Sequence, residues 1–145
     1  MPLTTAITCR VAAYSDANAM LLVDDGGRLQ RERTNFINQA ITNRAAHVAL
    51  IDGKVVAYGV IQQTFFNHSF LSLLTVQIDH RRKGVGAWLL QHIEHICKTP
   101  KLFTTVPASH IEAQAFLLKV GYTSSGQIEN LDDAQPQHIF FRRLR

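Results

Sequence analysis

The sequence predicts a mixed α/β fold, in which helices cover both faces of a mostly antiparallel sheet of six to seven strands. Apolar runs typical of strands recur along the chain, and apolar stripes with helical spacing separate several of them. A strand-helix-strand unit over residues 70–106 implies a parallel pair with a right-handed crossover, whereas a hairpin signal implies antiparallel neighbours elsewhere. These observations give the predicted order βααβββαβαββ.

Length and composition indicate one globular domain, residues 1–145, that is large enough to bury a core. No apolar run approaches the roughly 20 residues that would span a bilayer, and the first ten residues lack the pattern of a secretory signal. The two cysteines, Cys9 and Cys97, form neither a disulfide framework nor a metal site by their spacing. We therefore expect a cytoplasmic protein with no membrane partner and no metal.

The first part of the chain predicts one strand followed by two helices. Loose alternation over Ile7–Ala13 indicates the strand, and Ser15 and Asp16 are N-cap candidates for a short helix through Val23. A break at residues 25–27 precedes the second helix. Its apolar stripe, at i, i+1, i+4 and i+5, consists of Phe36, Ile37, Ala40 and Ile41.

Three consecutive strands are predicted in the middle of the chain. Asp52-Gly53 is the strongest hairpin signal, and it joins Val48–Ile51 to a strand that continues to Phe66. Gly59 within that second strand is a candidate β-bulge. After a polar turn, Phe70–Ile78 forms the third strand.

The second half of the chain predicts two helices around a buried strand, Leu102–Val106. The first of these helices has an apolar face formed by Val85, Trp88, Leu89, Ile93 and Ile96. A capping box, Ser109-x-x-Glu112, opens the second helix, and Gly121 is placed to end it in the left-handed conformation. The apolar stripe of this helix consists of Ala113, Phe116, Leu117 and Val120.

Two closing strands complete the predicted sheet. They span Tyr122–Ile128 and His138–Leu144. The polar segment between them, Glu129–Gln137, contains Pro136 and is predicted to be a loop.

A basic turn with two glycines, Arg81–Gly86, lies between a strand and a helix and predicts an anion site. Helix N-termini present unpaired N–H groups and a positive dipole end, which favour phosphate or pyrophosphate. Gly84 and Gly86 present no Cβ, so a ligand can approach the backbone closely. The dinucleotide fingerprint is excluded because its third glycine position holds Leu89, and no P-loop pattern is present.

This segment resembles the acyl-CoA signature of the GCN5-related N-acetyltransferases, Arg/Gln-x-x-Gly-x-Gly/Ala. It reads Arg81-x-x-Gly84-x-Gly86, with Leu74-x-Val76 before it and Leu89-Leu90 after it. A second stretch, from His110 to Tyr122, is similar to the family pattern Asn-x-x-Ala-x-x-Phe-Tyr-x-Lys-x-Gly-Phe. It reads His110-x-x-Ala113-x-x-Phe116-Leu117-x-Lys119-x-Gly121-Tyr122. Two signatures in the expected element order favour family membership across nearly the whole chain.

The resemblance implies an N-acetyltransferase that transfers an acetyl group directly from acetyl-CoA to a primary amine. The pantetheine arm would lie between two splayed strands, and a backbone N–H near Val76 would polarise the thioester carbonyl. The pyrophosphate would bind the amides of residues 82–87. The implied cofactor-binding residues are Val76, Gln77, Ile78, Arg81, Arg82, Lys83, Gly84, Val85, Gly86, Ala87, His110, Ala113 and Phe116. We also expect Trp88 to pack in the core.

The catalytic acid and base depart from the family pattern. Leu117 stands where many members carry a Tyr acid, and Phe70 stands where some carry a Glu base. His110, Ser72 and Tyr58 are weak candidates for a catalytic role, each with a structural alternative. His110 can instead serve the start of its helix, Ser72 can satisfy a local hydrogen bond, and Tyr58 can be a half-buried sheet tyrosine. The general acid and base are therefore not assigned.

The acceptor is expected to be a small-molecule or peptide amine. Acidic residues in the first two helices and near residue 130 would attract an ammonium group, unless they are ordinary surface charges: Asp24, Asp25, Glu32, Glu129, Asp132 and Asp133. A catalytically weak CoA-binding or acyl-CoA-sensing module is the alternative function. Nucleic-acid binding is disfavoured, because the net charge of +4 is modest and no wide basic face is evident. A homodimer is compatible with the resemblance.

Overall fold

The structure of the protein is a computed structural model that describes residues 6–24 and 30–145. The helices in these ranges are α1 Ala17–Val23, α2 Gln30–Thr42, α3 Val85–Ile96 and α4 Ile111–Lys119. The strands are β1 Ile7–Val11, β2 Ala46–Ile51, β3 Lys54–Phe65, β4 His68–Val76, β5 Lys101–Pro107, β6 Thr123–Asp132 and β7 Gln135–Arg143. The predicted order βααβββαβαββ is confirmed, and the predicted break at residues 25–27 lies outside the described residues.

The seven strands form one mixed sheet in the order β1-β2-β3-β4-β5-β7-β6. The strands β4 and β5 run parallel over Ser69–Leu71 and Leu102–Thr104, as the strand-helix-strand unit predicts. The pairs β1–β2, β2–β3, β5–β7 and β6–β7 are antiparallel. The predicted fold class, a mixed and mostly antiparallel sheet with helices, is confirmed. No helix in the described part of the chain has the length and apolar character that crossing a membrane requires.

Residue contacts divide the chain into two compact units. The first unit contains residues 73–96 together with the described residues of the range 1–61. Its main core lies where α1 and α2 cover one face of the sheet, and the predicted stripe of α2 supplies Ile37, Ala40 and Ile41, all buried. Other buried members of this core are Met20, Val23, Val48, Leu50, Tyr58 and Val60.

The opposite face of this unit packs against α3, and Gly59 on β3 lies in close contact with that helix. A Cβ built on Gly59 would lie 2.7 Å from Ile93 Cδ1 and 3.3 Å from Leu74 Cδ1. The predicted bulge at Gly59 is wrong, because Gly59 pairs regularly with His47. The register of β2 and β3 shifts instead between Ala49 and Leu50. Tight helix packing is therefore the role of this glycine.

An ion pair between the exposed Arg10 and the buried Asp16 holds the start of α1 against β1. The Asp16 carboxylate accepts hydrogen bonds from Arg10 Nη1 at 2.7 Å and Nη2 at 3.0 Å, and from the Ala13 N–H at 2.8 Å. These bonds lower the pKa of Asp16, with Arg10 as the largest cause. Asp16 is the N-cap of α1 but makes no side-chain bond to the helix. Its carboxylate therefore anchors the segment rather than capping it.

The second unit comprises residues 62–72 and 97–145. Helix α4 covers the face of β7 that carries His138 and Arg142: Gln114 Oε1 lies 3.3 Å from His138 Nδ1, and a Cβ on Gly121 would lie 3.4 Å from Arg142 Nε. The other face carries a row of half-buried phenylalanines on adjacent strands, with ring centroids 5.2–5.6 Å apart, namely Phe65, Phe70, Phe103 and Phe141.

Several predicted boundaries differ from the structure, all at turns. The turn after β3 falls at Phe66-Asn67, both with positive φ, so β4 begins at His68 and ends at Val76. Residues 129–137 are not a loop, because β6 continues to Asp132 and a two-residue turn leads directly into β7. The Asp132 carboxylate accepts a hydrogen bond from the Ala134 N–H at 2.9 Å and stabilises that turn.

Candidate functional site

A short helical turn fixes the segment that links β4 to α3. The Gln77 N–H donates to the Val56 carbonyl at 2.8 Å, which holds the end of β4 to β3. Ile78–His80 then forms one 3₁₀ turn, and Arg81 Nε donates to the Val76 carbonyl at 3.0 Å. The backbone therefore leaves the strand in a defined direction immediately before the basic residues.

The glycine turn presents free amides at the start of α3. Gly84 has φ +83°, and a Cβ built there would meet no atom within 4 Å, so the space over the turn is open. The Trp88 N–H donates to the Gly84 carbonyl at 3.0 Å, which closes the first helical turn. The preceding amides, those of residues 85–87, have no carbonyl partner inside the helix. Among the described residues, the backbone hydrogen bonds of turns, loops and caps also leave the N–H groups of residues 85–87 without a carbonyl partner.

Charge and burial orient this turn for an anion. The side chains of Arg81, Arg82 and Lys83 are exposed, whereas Val85 is 1% exposed and anchors the helix start in the core. Open space, free amides and exposed cations together fit a diphosphate. The expectation for Trp88 is wrong: it is 52% exposed, and Leu90 takes a core position instead.

The second signature lies in the second unit, at the N-terminus of α4. His110 is the N-cap, because its Nδ1 accepts a hydrogen bond from the Ala113 N–H at 3.2 Å. The predicted cap, Ser109, is one residue too early. Ala113 and Phe116 are half-buried. An open depression of about 500 Å³ next to this helix start is lined by Pro107, Ser109, His110, Ile111, Glu112 and Gln135.

The three weak catalytic candidates all have structural partners. Tyr58 is 0% exposed and its hydroxyl donates to Asp24 Oδ2 at 2.8 Å. Burial, followed by the Asp24 carboxylate, raises the pKa of Tyr58 far above its ordinary value, so the hydroxyl holds its proton. Ser72 Oγ donates to Gln62 Oε1 at 2.5 Å, and His110 Nδ1 serves α4. Ser72 and His110 make the local contacts that their structural alternatives describe, whereas Tyr58 is fully buried rather than half-buried.

The residues that replace the usual acid and base are apolar and packed. Leu117 is 4% exposed, and the Phe70 ring stacks on Phe65 with centroids 5.2 Å apart. Cys97 is buried, and its Sγ lies 3.5 Å from the Thr99 carbonyl oxygen.

Of the acidic residues, Asp24 has the best defined surroundings. Its carboxylate accepts from Tyr58 and lies 3.7 Å from Arg33 Nε, so it is not a free negative charge. Asp132 stabilises the β6–β7 turn, Glu129 accepts from Gln127, and Glu32 is exposed. Asp25 lies outside the described residues. Sequence reasoning missed Arg33, because its partners are 9 and 25 positions away and no local motif marks it.

Comparison with protein families assigns the chain. The model of the acetyltransferase (GNAT) family matches residues 13–122. The chain belongs to this family. Both sequence signatures fall within the matched range, and acetyl-CoA is the acetyl donor of the family. None of the curated protein sequences matches the chain significantly.

Solved structures confirm the GNAT fold. A GNAT-family acetyltransferase from Bacillus cereus ATCC 10987 is 25% identical, with a TM-score of 0.88 over 95% of this chain and 97% of that one. Ard1 from Thermoplasma volcanium is 19% identical, with a TM-score of 0.82 over 95% and 97%. A candidate streptothricin acetyltransferase from Bacillus anthracis str. Ames, solved with acetyl coenzyme A, is 18% identical, with a TM-score of 0.63 over 68% and 61%.

Proposed function

We propose that this GNAT protein is an acetyl-CoA-dependent N-acetyltransferase that moves an acetyl group directly to a primary amine. The observation that carries the proposal is the strand-turn-helix segment from Val76 to Ala87. There, open space over Gly84, unpartnered helix-start amides and three exposed cations coincide with the family signature. Acetyl-CoA bound to the candidate streptothricin acetyltransferase supports the same donor for this chain.

The proposed donor contacts divide by chemistry. The amides of residues 82–87 bind the diphosphate, and Arg81, Arg82 and Lys83 add positive charge around it. Gln77 and Ile78 lie beside the pantetheine arm, and Ile78 is 63% exposed at the surface of the turn. Ala113 and Phe116 are also proposed to contact acetyl-CoA, as the family resemblance implies. His110 can contribute only through Nε2, because Nδ1 already accepts from the Ala113 N–H.

Strand geometry supports Val76 as the donor to the thioester oxygen. Successive residues of a strand point their N–H groups to opposite sides. Since the Gln77 N–H points at β3, the Val76 N–H points away from it. A fixed N–H aimed at the carbonyl oxygen stabilises the negative charge that develops there during acyl transfer.

The chemical step forms one bond and breaks one. The neutral amine attacks the thioester carbon, the C–S bond breaks, and the thiolate of CoA leaves with the electron pair. One proton leaves the amine nitrogen and one reaches the sulfur. The packed environments of Leu117 and Phe70 supply no group for either transfer, and a thiolate is a good leaving group. We therefore propose that water carries these protons and that positioning supplies most of the rate.

Titration calorimetry with acetyl-CoA, followed by thiol release with a panel of primary amines, tests the proposal. We expect saturable binding of acetyl-CoA and thiol release that depends on at least one amine, with the acetylated amine identified by mass spectrometry. Binding without release on any amine would support the acyl-CoA-sensing module instead. A failure to bind acetyl-CoA or CoA would contradict both.

A further inference from the structure

The contact between Tyr58, Asp24 and Arg33 is a polar network at the edge of an apolar core. Tyr58 is fully buried among the residues of α1, α2 and the sheet, yet its hydroxyl reaches Asp24 at the end of α1. The side chains of Asp24 and Arg33 are 17% and 33% exposed. The network therefore lies where the core gives way to solvent.

This network lies close to the proposed reaction site within the first unit. The bond from the Gln77 N–H to the Val56 carbonyl sets the register of β4 on β3. In that register Tyr58 lies beside Thr75, the residue before Val76. Tyr58 belongs to the face covered by α1 and α2, whereas α3 fills the opposite face up to Gly59. An acceptor that reaches the thioester from the α1–α2 side passes the network.

The network holds Arg33 in place without using up its hydrogen-bonding capacity. Arg33 Nε lies 3.7 Å from Asp24 Oδ2, and Nη1 lies 3.5 Å from the Tyr58 hydroxyl. Both distances exceed those of strong charge-assisted bonds. Within residues 6–24 and 30–145 these two contacts engage only Nε and Nη1 of the guanidinium. The guanidinium carbon also lies 5.7 Å from the centre of the Phe36 ring, which restrains the side chain.

The Asp24 carboxylate makes its contacts inside the network. Its Oδ2 accepts the short bond from Tyr58 at 2.8 Å and faces Arg33. Arg33, whose side chain is 33% exposed against 17% for Asp24, is therefore the member of this ion pair that meets solvent more fully. A guanidinium recognises planar oxyanions in a two-bonded geometry.

We infer that Arg33 is a specificity residue that binds an anionic group, a carboxylate in the simplest case, on the amine acceptor. This inference rests on the proposed acetyltransferase function and names its substrate class as amines that also carry an acidic group. Asp24 and Tyr58 are positioning residues for the guanidinium. The polyamine-type acceptor that an acidic mouth would attract is disfavoured by the same geometry.

Matched amine pairs test the inference. Each amino acid in a panel is compared with its carboxamide, and kcat/KM for thiol release is measured with the wild type and with Arg33→Gln, Arg33→Lys and Arg31→Gln. Arg31 is exposed on the same helix and serves as the control. We expect the wild type to prefer the acids, and Arg33→Gln to lose about 10- to 100-fold in kcat/KM for them, mainly through KM. The KM for acetyl-CoA should stay constant, and Arg33→Lys should restore part of the loss.

The outcomes separate this inference from the proposed function. Thiol release with amines but no preference for the acids would overturn the role of Arg33 and leave the acetyltransferase proposal intact. An equal loss for acids and carboxamides in Arg33→Gln would show a merely structural role, as would a matching loss in Arg31→Gln. Thermal unfolding of each variant monitors the fold. Tyr58→Phe, which keeps the ring in the core, should weaken the preference for acids without changing the KM for acetyl-CoA.

Discussion

His47 on β2 and His92 on α3 face each other across the helix-sheet interface, with ring centroids 5.4 Å apart. His47 is 7% exposed. Burial, followed by the charge of His92, lowers the pKa of His47 to about 4. Burial, followed by the charge of His95, lowers the pKa of His92. The interface therefore disfavours the protonated form of both imidazoles.

This pair predicts acid sensitivity of the fold. An unfolded histidine has a pKa of about 6.5, so between about pH 6.5 and pH 4 the unfolded chain binds more protons than the folded one. The contribution of neutral His47 is fully present above the unfolded pKa and is lost as the pH falls through this window. We expect His47 alone to cost about 3 kcal/mol of unfolding free energy by pH 4. Urea denaturation at several pH values measures this slope.

Two variants assign the slope to His47. His47→Leu removes the titrating ring from the interface and should flatten the decrease, whereas His68→Gln, at the first residue of β4, should leave it unchanged. A His47→Leu protein with the full wild-type slope would show that other groups control the acid transition.

A substitution at Gly84 tests the diphosphate cradle, the proposed site formed by the amides of residues 82–87. Gly84→Leu places a side chain in the open space over the turn, and we expect acetyl-CoA affinity to fall about tenfold or more, which corresponds to about 1.4 kcal/mol. Calorimetry measures the change. Gly53→Leu is the matched control, because Gly53 also has positive φ and open space around its Cβ position. Both variants should lose about 1–2 kcal/mol of stability to the left-handed backbone. Equal acetyl-CoA affinity in the two folded variants would contradict the cradle.

Gly59 and Ile93 should be energetically coupled. Gly59→Ala puts a methyl group 2.7 Å from Ile93 Cδ1, so overpacking should cost about 1–3 kcal/mol. Ile93→Val removes that Cδ1 atom and by itself costs about 1 kcal/mol. The double variant should be less destabilised than the sum of the two single ones. Chemical denaturation of the four proteins gives the coupling, and strict additivity would show that the clash is relieved elsewhere.

His110 separates helix capping from catalysis. His110→Ala should lower stability by about 1 kcal/mol, because the Ala113 N–H loses its acceptor. His110→Asn supplies another acceptor and should keep the stability. If His110 only caps the helix, kcat of the Asn variant should match that of the wild type. A large loss of kcat in a fully stable Asn variant would give the Nε2 edge a catalytic role.

The predicted turns were confirmed where a local sequence signal alone determines the backbone conformation. The Asp52-Gly53 turn has positive φ at both residues, and Gly121 ends α4 with φ +100°, as their sequence signals indicate. Phe66 also adopts positive φ, at 51°. No local sequence signal favours a positive φ for a phenylalanine. The pairing of β3 with β4, which requires a tight turn at this position, imposes it. The predicted end of the second strand, Phe66, was therefore one residue late, and the predicted start of the third strand, Phe70, was two residues late.

Contacts between distant segments escaped the sequence reasoning. Polar composition and Pro136 suggested a loop near residue 130, but backbone pairing between β6 and β7 outweighs side-chain preference there. Trp88 fits the apolar stripe of α3, yet the helix turns it towards solvent and buries Leu90. The Tyr58–Asp24 bond joins residues 34 positions apart, and no sequence pattern records it.

The sequence by itself determined the order of the elements, the two family signatures and the glycine turn before α3, because each depends on residues close together in the chain. Only the tertiary structure decided which side chains are available for chemistry. In the folded chain the Tyr58 hydroxyl bonds to Asp24, Ser72 bonds to Gln62, and His110 caps α4. The Arg33 guanidinium lies at the boundary between the core and solvent. Burial and partnership set the state of a polar group, and both are properties of the folded chain.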